Sequence, residues 1–309
     1  MKKLTITKND SSQRLDKFLT KYLPKMPKNM LYKSLRKNCI RVNGKHVKDG
    51  AYMLREGDEL TLYLKDEFFN ETGRSGFVPV PYKLDIVYED ANLILINKAA
   101  GIVVHADDRN TSGTLVDQLQ SYLYEKGEYL PDNEHSFAPA LCNRLDRNTS
   151  GIIIAAKNAE ALRAINEKIR SREIHKFYLC IADGIIEGSG TLSDNLTRGD
   201  KRVKITKNPA EGSKAVSLNY RAIAHSDNKT LLEIELLTGR THQIRAQLAA
   251  AGHALTGDTK YGGSRSRSRY RLASYKLVFR LNGKSVLDYL NGNVFEITPG
   301  FAGKFTDRL

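Results

Sequence analysis

The sequence predicts an α+β protein in two unequal parts, a small basic module of two short helices with a few short strands and then a larger, strand-rich domain. Three observations carry this. At 309 residues the chain is long enough for one sizeable core plus a smaller module, and too long for a single compact layer. Apolar residues recur twice at helical spacing near the N-terminus and then give way to short alternating runs. From Leu84 onward, runs rich in β-branched and aromatic residues are bounded by turn residues, with few helical stretches between them. The expected division is a small domain over 1–66, a linker over 67–81, and a large domain with a C-terminal tail over 82–309.

The first helix follows a cap at Asp10-Ser11-Ser12 and buries Leu15, Phe18, Leu19 and Tyr22. Pro24 and Pro27 punctuate it, and a second amphipathic helix sets Met30, Leu31, Ser34 and Leu35 against a basic face of Lys28, Lys33, Arg36 and Lys37. Short strands follow at Cys39–Val42, Lys45–Val47 and Glu59–Leu64, with Asn43-Gly44 as a hairpin turn. Residues 67–80 mix glycine, proline and polar residues without a period and read as a linker with some apolar anchors.

In the large domain, Leu84–Tyr88 and Leu93–Lys98 read as strands of a buried sheet. Thr114 to Tyr124 is a core helix presenting Leu115, Leu119, Tyr122 and Leu123. Asn158 caps another, with Leu162, Ile165 and Ile169 inward. His175–Ile181 alternates as a strand, placing Lys176, Tyr178 and Cys180 on one face. A strand through Leu232, Ile234 and Leu236 ends at Gly239, where Thr241 is placed to cap a helix running to Gly252, with His242 and Arg245 on one face of its first turn. Lys98 and His105 read equally as binding contacts or as a surface lysine and a satisfied histidine. Ser264–Arg271 is a basic loop, either tracking phosphates or simply solvated.

Composition narrows the function classes. With 40% hydrophobic and 27% charged residues the chain is ordinary globular material. No apolar stretch reaches spanning length and the start lacks the apolar core of a signal peptide, so a cytoplasmic protein is expected. Cys39, Cys142 and Cys180 are far apart and lack metal-ligand spacing, which points to neither disulfides nor a metal. A net charge of +14 points to a polyanionic partner, and residues 1–66 alone hold 16 Lys and Arg against 7 Asp and Glu.

The stretch that organises the chain is Leu141-Cys142-Asn143-Arg144-Leu145-Asp146-Arg147-Asn148-Thr149-Ser150-Gly151, which feeds the apolar run 152–156. A polar loop at the mouth of a buried strand is a natural place for chemistry. The two arginines flanking Asp146 favour its carboxylate form, which suits a nucleophile or base. Taken alone, Asp146 is equally a turn residue, and the same tripeptide occurs as Arg14-Leu15-Asp16 at the start of an ordinary helix.

The longer string is more specific. Arg144-Leu145-Asp146, two residues, then Thr149-Ser150-Gly151 resembles the His-Arg-Leu-Asp-x-x-Thr-Ser-Gly motif of the RluA family of pseudouridine synthases, with Asn143 in place of His. Lys98-Ala99-Ala100-Gly101 is similar to the family's Lys-Pro-Ala-Gly, Lys176-x-Tyr178 to its Lys-x-Tyr, and Thr238–Arg245 and Gly257–Gly262 to its two downstream segments. The first sixty-odd residues, with Arg41-Val42-Asn43-Gly44, resemble an S4-like RNA-binding domain.

The resemblance implies a catalytic domain built round a long, mostly antiparallel mixed sheet with a central cleft, and isomerisation of uridine to pseudouridine in RNA. It implies Asp146 as the residue that initiates glycosidic cleavage, by attack on C1′, by removing the C2′ proton or by attack on the base. Arg245 is implied as its salt-bridge partner, and Tyr178 as a stacking surface and proton relay. Arg144 would fill the space of the flipped uridine, and Arg240, His242 and Gln243 would meet substrate. Arg36 and Arg41 of the basic module would contact phosphates. No cofactor or metal is called for, and the chain is expected to act as a monomer. Ribosomal large-subunit RNA is the expected substrate, with transfer RNA as the alternative. Two rivals are a non-catalytic RNA-binding assembly factor, which has no need of Asp146 and Arg245 together, and a glycoside hydrolase, which commonly wants a second working carboxylate.

Overall fold

The structure, a computed structural model, describes residues 1–69, 77–106, 112–199, 202–265 and 269–306. The small module holds β1 (Lys2–Thr5), α1 (Leu15–Tyr22), α2 (Lys28–Arg36), β2 (Ile40–Val42), β3 (Lys45–His46) and β4 (Glu59–Leu62). Its four strands form a sheet in the order β1-β4-β2-β3. Asn43 and Gly44 both take positive φ, the backbone that a two-residue hairpin turn demands. Leu15, Phe18 and Leu19 of α1 and Leu31 and Leu35 of α2 are buried against Ile40, Leu60 and Leu62 of the sheet.

Two expectations are corrected here. Asp10-Ser11-Ser12 does not cap α1. The residue preceding the helix is Arg14, without a side-chain cap, and Asp10 instead accepts hydrogen bonds from Thr7 and, at 2.7 Å, from Ser136 of the large domain. Met30 is exposed and the inward positions of α2 are Leu31, Ser34 and Leu35. Phe68 and Phe69, at the start of the expected linker, are buried in the small module's core, while 70–76 lie outside the described residues.

The large domain runs β5 (Ile86–Glu89), β6 (Leu93–Lys98), α3 (Leu115–Glu125), β7 (Ala140–Leu141), β8 (Ser150–Ala156), α4 (Ala159–Arg170), β9 (Ile174–Asp183) and β10 (Ser189–Arg198). It continues through β11 (Val203–Thr206), β12 (Lys214–Ser226), β13 (Lys229–Leu236), α5 (Gln243–Ala250), β14 (Leu272–Phe279), β15 (Val294–Glu296) and α6 (Gly300–Thr306). Eleven strands form one sheet along the path β11-β10-β12-β13-β9-β14-β8-β6-β5, with β15 on β14 and β7 on β8. Every described pairing is antiparallel except β14 with β8, so the architecture is α+β, with the mixed, mostly antiparallel sheet that the family resemblance implies.

The unbroken apolar text of β6 and β8 has a simple cause: both faces are covered. Leu93, Leu95, Ile152 and Ile154 pack with Ala161 and Ile165 of α4, whereas Ile94, Ile96 and Ile153 pack with Leu115, Leu119 and Leu123 of α3. Both helices begin on side-chain caps: Thr114 and Asp117 form a reciprocal capping box, and Asn158 accepts from the Ala161 amide at 2.8 Å.

The parallel contact of β14 with β8 decides where the organising loop ends. Gly151 has φ +109°, and a Cβ there would lie 2.1 Å from the Ser274 carbonyl oxygen. Only glycine admits the two backbones at that distance. The Ser150-Gly151 step therefore fixes the mouth of β8 against the middle of the sheet.

Candidate active site

The loop 142–149 is anchored at several points. At its start, the Cys142 amide donates to the Ile154 carbonyl at 2.7 Å, and the Ile154 amide donates to Asn143 Oδ1 at 2.8 Å. Asn143 thus serves as a backbone anchor for the loop. Leu145 is buried in the central core. On the far side Lys98, 1% exposed, donates through Nζ to the carbonyls of Ala99, Ile102 and Arg147 at 3.0, 3.1 and 3.2 Å. Lys98 is therefore no surface lysine. Burial pushes its pKa down to about 8, against the opposing pull of Asp146. His105, its companion in the sequence reading, is exposed.

Asp146 emerges between these anchors at a cavity of about 520 Å³. Neither neighbouring arginine pairs with it. Arg147 turns away, its Nε donating to the Gly101 carbonyl at 3.2 Å, and Arg144 is exposed at the cavity wall with no ion pair among the described residues. The cation that meets Asp146 is Arg245, whose Nη1 donates to Oδ2 at 2.9 Å from 99 residues further along the chain. No hydrogen bond reaches Asp146 Oδ1 among the described residues.

Arg245 is itself held on every side. Its Nε and Nη2 donate to Asp258 Oδ2 and Oδ1 at 2.6 and 3.0 Å, and its guanidinium carbon lies 4.4 and 5.1 Å from the ring centroids of Tyr270 and Tyr261. Burial penalises the charged guanidinium, but the hydrogen bonds to Asp258 and Asp146, with the neighbouring Tyr270 and the charge of Asp258, outweigh it and the Arg245 pKa is raised. Arg245 therefore carries a permanent positive charge between two carboxylates.

The turn into α5 departs from the sequence reading. Thr241 does not cap the helix. The capping position is His242, in the left-handed region at φ 55°, without a side-chain cap. The bracing falls to Gln243, which is buried. Its Oε1 accepts from Thr238 Oγ1 at 2.9 Å and from the Arg240 amide at 3.1 Å, while its Nε2 donates to the Ser217 carbonyl and to Gln247 Oε1. With its amide committed to these partners, Gln243 braces the strand-to-helix turn. The unusual backbone of His242 turns its ring to the site, Nδ1 2.9 Å from Tyr261 Oη and Nε2 3.7 Å from Asp146 Oδ2. Burial holds its pKa below the ordinary histidine value, so the imidazole is neutral at neutral pH.

Tyr178 comes from β9, 5% exposed, and lines the same cavity as Asp146, Arg144, Arg240, His242, Gln243 and Arg245. Burial pushes its pKa up to about 12, with the charge of Asp146 adding to the effect, so the phenol keeps its proton. Arg36 and Arg41 are not part of this site. Both lie in the small module, Arg36 exposed on α2 and Arg41 on β2, its Nε 3.3 Å from Asn38 Oδ1 and its guanidinium over the Tyr63 ring. The basic loop that ends at Arg271 is described only in part, since 266–268 lie outside the described residues.

Several contributors have no local signal in the sequence beyond the Lys-x-Tyr string that marks Lys176. Arg170, Arg172 and Lys176 line the cavity and give it a strongly basic wall, with burial lowering the Lys176 pKa. Tyr270 could have been found only by knowing that β14 would bring it beneath Arg245. Among the described residues no three His, Cys, Asp or Glu side chains converge as a metal site requires, and no helix is long and apolar enough to cross a membrane. The arrangement can present one anionic oxygen, fixed by a cation, to a planar group entering a basic, partly apolar pocket.

The chain is similar in sequence and fold to known proteins. The family model described as RNA pseudouridylate synthase matches residues 92–250, and the S4 domain model matches residues 13–60. The ribosomal large subunit pseudouridine synthase D of Escherichia coli K12 is 33% identical over 260 residues, covering 84% of this chain and 76% of that protein. An uncharacterised RNA pseudouridine synthase of Mycoplasma capricolum is 28% identical over 98% of this chain and the whole of its own length. Among solved structures, human RNA pseudouridylate synthase domain containing 4 superposes with a TM-score of 0.57 at 20% identity, covering 72% of this chain and 92% of that one, which speaks to the fold.

Proposed function

Because the chain belongs to the RNA pseudouridylate synthase family and carries an S4 domain, we propose that it isomerises specific uridines of large-subunit ribosomal RNA with Asp146 initiating the reaction. The observation that carries the residue assignment is the half-engaged carboxylate: Arg245 holds Oδ2 at 2.9 Å, Oδ1 has no hydrogen bond among the described residues, and Asp146 lines the cavity. A carboxylate so held keeps its orientation while one oxygen is available to the sugar or base.

The target uridine leaves its stack at a cost of a few kcal/mol, and Arg144 at the cavity wall takes up the space and backbone it leaves. Asp146 then initiates cleavage of the bond from N1 to C1′. The detached uracil turns within the closed pocket and rejoins through C5, C5 giving up its proton and N1 gaining one, so that no atom is lost. Tyr178 supplies a ring face for the uracil and, being protonated, a hydrogen-bond donor for its oxygens. Arg240, exposed at the rim, and the basic wall of Arg170, Arg172 and Lys176 meet the phosphates flanking the flipped nucleotide. Arg36 and Arg41 add contacts to more distant phosphates. Ribosomal RNA as substrate supports a cytoplasmic location, and action as a monomer is part of the same proposal.

The test is release of tritium from RNA labelled at uracil C5, with ribosomal and transfer RNA taken separately from cells that lack the protein. Native protein is expected to release label from large-subunit RNA, and Asp146→Asn to lower the rate at least about 10³-fold. Release from transfer RNA alone would reassign the substrate, and release that survives Asp146→Asn would remove Asp146 from the chemistry.

A further inference from the structure

We propose that Asp258 is the positioning residue of this site, holding the Arg245 guanidinium so that Asp146 receives one hydrogen bond instead of two. The inference rests on the reading of Asp146 as the initiating group and deepens it. A guanidinium left to meet a single carboxylate adopts a parallel two-bond fork that engages both carboxylate oxygens. Here that fork is already taken: Nε and Nη2 bind the two oxygens of Asp258 at 2.6 and 3.0 Å, and only Nη1 is left for Asp146, at 2.9 Å on Oδ2.

Asp258 is 2% exposed and its backbone sits in a turn closed by hydrogen bonds from the Tyr261 and Gly263 amides to its carbonyl and from its own amide to Leu255. The grip is thus built into a rigid turn. Tyr270 and Tyr261 close the faces of the guanidinium at 4.4 and 5.1 Å, so rotation out of this plane is also opposed. The consequence is chemical. Asp146 is fixed and charge-compensated through Oδ2, while Oδ1 is left unligated for the reacting atom.

The experiment uses the full chain labelled with 15N-arginine, reading the Arg245 Nε–H signal by NMR, with the assignment taken from its absence in Arg245→Lys. The signal is expected to be slow to exchange in native protein, to persist in Asp146→Asn, and to be lost in Asp258→Asn. In the tritium assay Asp258→Asn is expected to lower kcat about 100-fold, the scale of a mispositioned reacting group, with KM for RNA within about twofold of native. Loss of the signal in Asp146→Asn would overturn the proposal even if Asp258→Asn failed to fold, because it would make Asp146 the group that orients the arginine. A kcat unchanged in Asp258→Asn, or an Nε–H signal that persists there, overturns it equally. If native protein releases no tritium, the isomerase reading fails on its own, and the NMR comparison still decides which carboxylate orients Arg245.

Discussion

The tripeptide Arg-Leu-Asp occurs twice in this chain, and the two copies do opposite things. In the small module, Arg14 turns back on Asp16 with the two-bond fork, Nε to Oδ1 at 3.1 Å and Nη2 to Oδ2 at 2.7 Å, and Tyr32 adds a third donor at 2.9 Å. Asp16 is saturated by its neighbours and buried. In the large domain, Arg144 leaves Asp146 alone, and the partner comes from a helix 99 residues away, itself committed to another carboxylate. The same three residues therefore give a structural clasp in one place and a half-engaged carboxylate in the other. Reactivity is set by who else reaches the Asp.

That comparison is sharpened most by removing the distant partner. Arg245→Leu leaves Asp146 and the 2% exposed Asp258 facing each other without a cation. Taking one member from a buried ion cluster is expected to destabilise the large domain by about 3–5 kcal/mol, measured by urea unfolding at neutral pH. If Arg14→Leu in the small module destabilised as much as Arg245→Leu, the contrast between local clasp and buried cluster would be lost.

Two glycines offer the next test, one beside each copy. Gly151→Ala would put a Cβ 2.1 Å from the Ser274 carbonyl oxygen at φ +109°, a clash with backbone that nothing can relieve cheaply. It is expected to cost about 1–3 kcal/mol in strain, and, by shifting the mouth of β8, to slow isomerisation about 100-fold. Gly50→Ala would meet Asp16 at 3.0 Å for Cβ and 3.2 Å for Oδ2, both on a side chain, without positive φ. Relieving the contact requires the clasp of the small module to give by a few tenths of an ångström, away from the cavity, so turnover should match native protein. Equal losses of activity in the two variants would show that the Gly151 contact is not what places Asp146.

These contrasts also explain what was legible in the sequence. Periodicity located the helices of both parts, and Asn43-Gly44 and Asn158 announced their turn and cap, because those signals act over a few residues. The longer motif distinguished Asp146 from Asp16 where the tripeptide could not. Local pattern failed where long-range packing decides. Thr241 has the right chemistry for a cap, yet the Gln243 amide already satisfies the turn, and His242 takes a strained backbone that brings its ring near Asp146. Lys98 reads as a surface charge, but three carbonyls contributed by two separate loops draw it inside. Asp258 was visible only as part of a matching string, since its partner is set by how the turn folds over α5.

The smallest effect isolates the clasp in the small module. Hydrogen bonding from Arg14, with further help from Tyr32 and against the penalty of burial, lowers the Asp16 pKa below its ordinary 3.8. A group whose folded pKa is depressed contributes stability above its unfolded pKa and loses it as pH falls toward the folded value. Asp16→Asn should therefore lower the thermal midpoint by a few degrees at neutral pH, while kcat in the tritium assay stays within about twofold of native. On acidification through the carboxylate range the native protein loses the same contribution, so the gap between native and variant should narrow toward pH 3. A gap that widened instead would mean that the Asp16 carboxylate opposes folding in the clasp, and the two copies of the tripeptide would then differ for a reason other than the saturation of one carboxylate and the half-engagement of the other.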